Sequence, residues 1–254
     1  MKFVPFTLAF LLLVTLPAVV GANEATALVE KVEANLDGKT FQGRMTMTVD
    51  RGGNQRKLTL RAWRRGRDQA LVRILAPEKE RGVGNLRLKL ELWQYLPNVN
   101  RVIRIPPSMM LQSWMGSDFN NDDLVRASSL SKDYTHKIVG REKLDGTKAI
   151  KLELRAKPDA PVVWDRVVMW VRDPDAAPMK QEFYDERGTL VKVMTGSNIR
   201  AFAGHAIPTI VKMTNAKKTG QSTTIEYDAK TIAFDRALSE DLFTQINLRK
   251  PVTE

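Results

Sequence analysis

Three carboxylates stand close together in this chain, Asp118, Asp122 and Asp123. Paired acids are what glycoside hydrolysis needs, one as proton donor and one as base or nucleophile. These three follow a turn and precede an apolar helical turn, where acids cap helix ends without catalytic duty. The two histidines, His136 and His205, have no ligand partner at metal spacing. His136 sits beside Lys137 in a strand pattern and His205 in a Gly-bounded turn. Ser108, Ser113, Ser117, Ser128 and Ser129 lack a G-x-S-x-G setting, and Gly82-Val83-Gly84 is too little to cradle a phosphate. No catalytic residue, metal site or cofactor is therefore expected.

The surroundings of those acids point elsewhere. A strand carrying Trp93 and Tyr95 runs towards Pro106-Pro107, followed by Met109, Met110, Leu111, Trp114 and Met115, then the turn Gly116-Ser117-Asp118-Phe119. Large, soft, apolar side chains on a connection suit the holding of a greasy ligand better than bond chemistry. Trp93, Tyr95, Trp114 and Phe119 would wall such a site, and the methionines would adapt to ligand shape. Each could equally be ordinary core beneath a lid. Arg101 and Arg104 could hold a phosphate or carboxylate head bidentately. The reading favoured for them is fastening, by pairing with Asp118, Asp122 or Asp123.

These residues need a scaffold, and its period is mostly two. Residues 24–36 carry Ala27, Leu28, Val32 and Leu36 on one helical face, stopped by Asp37-Gly38. Met45, Met47 and Val49 then alternate with polar neighbours, and a turn at 50–54 leads into Leu58, Leu60 and Ala62, a hairpin. Leu86, Leu88, Leu90 and Leu92 read as one face of a strand, with Trp93 and Tyr95 on the other. Further strands read at 136–142, 148–156, 162–172, 179–186, 189–199, 207–217 and 221–233. Ser108 caps an expected helix whose Met110, Leu111, Trp114 and Met115 share a side; Asn121 or Asp122 caps a second, running through Ala127. Residues 238–248 read as a short docking element. About ten to eleven antiparallel strands cannot stay flat, so the sheet curls or closes over the helices.

Composition bounds the setting. The 254 residues carry a formal net charge of +11 and no cysteine. Lys2, the apolar run Phe6–Leu16 and the small residues Gly21-Ala22 read as a signal peptide cleaved before Asn23. The run is shorter than the ~20 apolar residues of a permanent membrane span. Residues 23–254 then form one domain, held by its core without disulfides. The basic charge is scattered, which reads first as a solvated sheet face. It would also suit anionic lipid or an acidic partner, whereas nucleic acid is not expected for an exported chain.

Leu92-Trp93-Gln94-Tyr95-Leu96-Pro97, Arg101, Arg104-Ile105-Pro106-Pro107-Ser108, Met110, Ser113 and Met115-Gly116-Ser117-Asp118-Phe119 together resemble the LolA-like family of periplasmic proteins. More narrowly, they are similar to its branch of outer-membrane lipoprotein-sorting proteins. Met179-Lys-Gln-Glu-Phe183-Tyr-Asp185-Glu-Arg-Gly188, Ile207-Pro208 and Asp241-Leu-Phe243 extend the likeness over the rest of the chain. The resemblance implies a mainly β fold, an unclosed antiparallel barrel wrapped over an N-terminal helix and short lid helices. It also implies an apolar cavity accepting the acyl chains of lipids or lipid-modified proteins, in outer-membrane sorting, with transient membrane contact. A periplasmic accessory protein that binds a membrane transporter or an acidic partner is the other reading.

Overall fold

The computed structural model describes residues 19–125 and 130–251. The expected leader run Phe6–Leu16 and the residues through Ala127 that were to complete the second lid helix lie outside them. The chain folds as one curled antiparallel sheet. Helix α1 (Val19–Asp37) precedes strands β1 (Thr40–Arg51), β2 (Gln55–Arg65), β3 (Gln69–Ala76), β4 (Gly84–Leu88), β5 (Glu91–Leu96) and β6 (Arg101–Arg104). Two short helices, α2 (Asn121–Val125) and α3 (Leu130–Asp133), come next. A second series follows: β7 (Tyr134–Leu144), β8 (Thr147–Ala156), β9 (Arg166–Arg172), β10 (Pro178–Tyr184), β11 (Leu190–Phe202), β12 (His205–Asn215) and β13 (Gln221–Tyr227). The two-residue β14 (Ala233–Phe234) and helix α4 (Gln245–Leu248) end the chain.

The strand order is β6-β5-β4-β3-β2-β1-β13-β12-β11-β10-β9-β8-β7, with β14 paired to β1. Two meanders are thus joined where β1 meets β13, Met45 opposite Tyr227 through Arg51 opposite Gln221. Because β6 and β7 are the two ends of this order, the segments 105–125 and 130–133 lie between one and the other. That path carries them over the concave face, and it makes them a lid by topology.

Alternation in β1 and β2 is as expected: Phe41, Met45, Met47, Val49, Leu58 and Leu60 are buried in the main core. α1 adds Ala25, Val29 and Val32 to that core. Ala27, expected on the buried side, is exposed; the inward stripe runs through Ala25, Val29 and Val32, with Leu28 and Leu36 partly buried beside it. Gly38 ends the helix in a left-handed conformation (φ +58°), and a Cβ there would stand 2.8 Å from the Phe234 ring.

Two local expectations are corrected. The strand read through 85–96 is a hairpin, in which Lys89 adopts φ +55° and Leu90 is 68 % exposed at its tip. Leu86 pairs with Trp93 and so shares its face, whereas Leu92 pairs with Arg87 and faces the other way. The leucines therefore do not form one stripe. The helix expected from Ser108 is also absent. A 3₁₀ turn at Pro107–Met109 and another at Trp114–Gly116 replace it, with Met115 at φ +51° and Leu111 63 % exposed. Trp114 N–H donates to the Phe119 carbonyl, and Ser113 bridges Asn120, so 113–120 closes as a tight loop. α2 is capped by Asn120 rather than by Asn121 or Asp122. The Asn120 side chain accepts from Asp123 N–H at 2.8 Å and the Asp123 carboxylate from Asn120 N–H at 2.7 Å, a reciprocal box. The residues 238–248 dock as expected, burying Phe243 and Leu248.

Candidate ligand cavity

The lid is pinned from three sides. Asp118, with only 3 % of its side chain exposed, pairs with Arg51 at 2.9 Å and accepts from the Thr223 hydroxyl at 2.7 Å. Asp123 pairs with Lys192 of β11 at 2.8 Å. On the far side of α2, buried Glu33 of α1 accepts from Ser131 N–H at 3.0 Å and from its hydroxyl at 2.6 Å. Fastening by Asp118 is thus present, but its cation comes from β1. Arg104 instead pairs with Glu91 at 2.7 Å, and Arg101 is exposed on the sheet's edge strand. β6 turns both arginines away from the acids of the lid.

Under the lid lies a cavity of about 280 Å³, near the lower end of small-ligand pockets. Its walls are Phe119 from the lid, Trp164 from the connection before β9, and Phe183, Met194, Met213 and Ile225 from β10 to β13. Trp164 and Phe183 stand with ring centroids 5.6 Å apart. Polar groups reach the cavity from several elements, Lys180 and Gln181 of β10 among them. Asp122 and Asp123 enter from the lid; Arg64 and Tyr227 enter beside the end of α1.

Arg64 stands opposite Phe41 on the concave face, its guanidinium 4.9 Å from that ring. It donates to the Leu36 carbonyl and, at 3.4 Å, to Asp37. Burial pushes the Asp37 carboxyl above its usual range, while Arg64 and then Arg67 pull it back. Arg67 pairs with Glu33 at 2.6 Å and with Asp37 at 3.2 Å. Burial likewise pushes the Tyr227 phenol up, against Arg64, so it stays a protonated donor at neutral pH.

Of the eight residues expected to contact ligand, Phe119 lines this cavity. Trp114 is buried in the adjoining core, its indole N–H donating to Asn85 at 3.0 Å, and Met115 packs beside it. Met109 and Met110 cover Leu92 and Ile105, which anchors the start of the lid to β5. Leu111 points to solvent. Trp93 and Tyr95 lie on the opposite, convex face, in a cluster with Leu71, Leu86, Phe243 and Leu248. The hairpin turn at Lys89 explains this, since it reverses which side Trp93 takes.

The wall residues missed by sequence reasoning had a weak signal of their own. Val162-Val163-Trp164 is an apolar triplet in a connection, like the lid's own sequence. The histidines and the lid acids have structural tasks. His136 bonds Thr26 at 3.0 Å and the Leu130 carbonyl at 2.9 Å; His205 bonds the Ala34 carbonyl at 2.9 Å and Asp235 at 3.1 Å. No cluster of three metal-ligating side chains occurs among the described residues.

A curled half-barrel roofed by its own crossing segment and hollow beneath it is the LolA-like architecture. The chain belongs to a family described only as uncharacterized protein-like, whose model matches residues 66–250. No curated protein matches it by sequence. Among solved structures, a DUF1329 family protein from Desulfovibrio piger superposes with a TM-score of 0.82 at 23 % identity, covering 90 % of this chain and 99 % of that one. A putative outer membrane lipoprotein-sorting protein domain from Vibrio parahaemolyticus gives 0.79 at 23 % identity, covering 90 % and 100 %. A LolA superfamily protein from Nitrosomonas europaea gives 0.72 at 25 % identity, covering 88 % and 98 %. The resemblance carried by residues 92–119 is thus matched by the fold.

Proposed function

We propose that this protein is a periplasmic carrier that holds acyl chains of lipids or lipid-modified proteins in the cavity beneath the lid, serving outer-membrane sorting rather than catalysis. The observation that carries the reading is the hollow walled by Phe119, Trp164, Phe183, Met194, Met213 and Ile225. Each methylene moved from water into such a space contributes about 0.8 kcal/mol. A dozen would supply roughly 10 kcal/mol before ordering costs, enough for useful affinity without precise polar contacts. The similarity in fold to a lipoprotein-sorting domain and a LolA superfamily protein supports the same reading.

In this account the mature chain is residues 23–254. Cleavage before Asn23 leaves the buried α1 residues Ala25, Val29 and Val32 in place. The ligand site is this cavity together with Phe119. The lid residues Trp114, Met115, Met109 and Met110 shape its roof, and Asp118 fastens it. Lipids extracted from protein purified from its own periplasm, identified by mass spectrometry, test the reading. Acyl species at near-stoichiometric yield are expected, and Met194→Trp, which fills the hollow, should remove most of them while the protein stays folded. Protein that carries no lipid, or a Met194→Trp variant that carries as much as wild type, would count against it.

A further inference from the structure

The cavity is not equally apolar throughout. At the α1 end, Arg64 and Tyr227 both line it. Arg64 keeps N–H donors beyond the two bonds to Leu36 and Asp37, because a guanidinium presents a fork of them. Among the described residues the Tyr227 hydroxyl has no hydrogen-bond partner. Its ring is held edge-on to Phe41, with centroids 6.1 Å apart, which fixes where that hydroxyl can point.

The corner is rich in charge. Arg64, Arg67 and Arg87 face Glu33 and Asp37; Asp68, the next carboxylate that Arg87 feels, is exposed at a turn. Asp37, whose carboxyl burial raises, pairs with both Arg64 and Arg67. A partly buried cationic fork with a spare phenolic donor, beside an oily hollow, matches an anion joined to a hydrocarbon chain.

We propose that the cavity selects amphiphiles with an anionic head, a carboxylate or a phosphate, and that Arg64 and Tyr227 hold that head at the α1 end. The inference rests on the cavity reading given above and names the ligand class for it. The tail runs along Phe183, Met194 and Met213 towards the lid. Neither residue reacts with the ligand; both position it.

Displacement of the neutral fluorophore N-phenyl-1-naphthylamine by dodecanoate, dodecyl phosphate and dodecanol tests this. The three share a tail and differ in the head. At least one anion should displace the reporter at a concentration about tenfold or more below that of dodecanol. Which anion does so tells carboxylate from phosphate. Arg64→Gln should abolish that advantage and leave dodecanol unchanged, and Tyr227→Phe should reduce it severalfold. Tyr227→Phe carries the test if Arg64→Gln does not fold. Equal potency of all three in the wild-type protein, or a loss in either variant shared equally by dodecanol, would overturn the inference while leaving the cavity reading intact. Failure of every compound to displace the reporter would end both.

Discussion

Two apolar faces of the same sheet are treated in opposite ways. On the convex side of β2 to β6, Leu71 and Leu86 are sealed by the chain's own last turns, which insert Phe243 and Leu248. Gly84 makes room for that insertion: a Cβ there would stand 2.7 Å from the Leu248 methyl. Arg73 clamps the cover by donating to the Lys250 carbonyl at 2.7 Å and to the Asn247 side chain at 3.0 Å. On the concave side of β9 to β13, Phe183, Met194 and Met213 meet a hollow, and the lid spans it without filling it. The protein has the means to close an apolar face with its own side chains and leaves one unfilled. An interior void forfeits packing contacts, so its persistence fits space kept for a ligand.

That contrast can be broken by substitution, and the largest effect falls on the sealed side. Leu248→Asp places a charge at a position with no exposure, and should destabilise the fold by about 4 kcal/mol or more, read from urea unfolding. Leu71→Ala removes fully buried side-chain volume and should cost about 2–5 kcal/mol. Met194→Ala, whose side chain already borders empty space, should cost under about 1 kcal/mol in the same assay. Equal costs at 71 and 194 would mean that the hollow is packed in solution. Lys192→Met strands Asp123 at the lid, and should cost about 2 kcal/mol, because the pair keeps some exposure. Limited proteolysis should then cut the lid before the sheet.

The smallest effect concerns pH. The hydrogen bond from Arg172 holds the Asp175 carboxyl below its ordinary range, at the turn where α1 meets β9 and β10. A depressed folded-state pKa stabilises above the unfolded value and loses that stabilisation as pH falls through the folded one. Wild-type Tm should therefore drop below about pH 4 more steeply than that of Asp175→Asn, by a small margin given the exposure of the pair. Parallel curves would remove Asp175 from the account of acid stability. The ligand cavity should not sense this change, because Asp175 does not border it.

Much of the scaffold is written locally. The alternation of Met45, Met47 and Val49 against Leu58 and Leu60 fixes a hairpin and its inward face, and Leu28, Val32 and Leu36 mark the packed side of α1. Two errors have local causes as well. Leu88-Lys89-Leu90-Glu91 turns the chain without glycine, proline or asparagine, so an unbroken strand is the natural reading. Met110, Leu111, Trp114 and Met115 have helical spacing, but the segment breaks into two 3₁₀ turns, with Met115 itself in the left-handed region. The cavity walls were illegible for a different reason. Trp164, Phe183, Met194, Met213 and Tyr227 converge only after β13 pairs with β1 and the sheet curls, and nothing near any of them in sequence encodes that closure.

The comparison between the two faces is tested most directly by tryptophan quenching with a brominated acyl chain, whose bromines act only on contact. Trp164 borders the hollow and Trp93 lies in the sealed cluster. Dibrominated palmitate should quench the wild-type protein, and the quenchable emission should disappear in Trp164→Phe and persist in Trp93→Phe. Quenching lost with Trp93 instead, or no quenching at saturating lipid, would contradict an acyl chain housed beneath the lid.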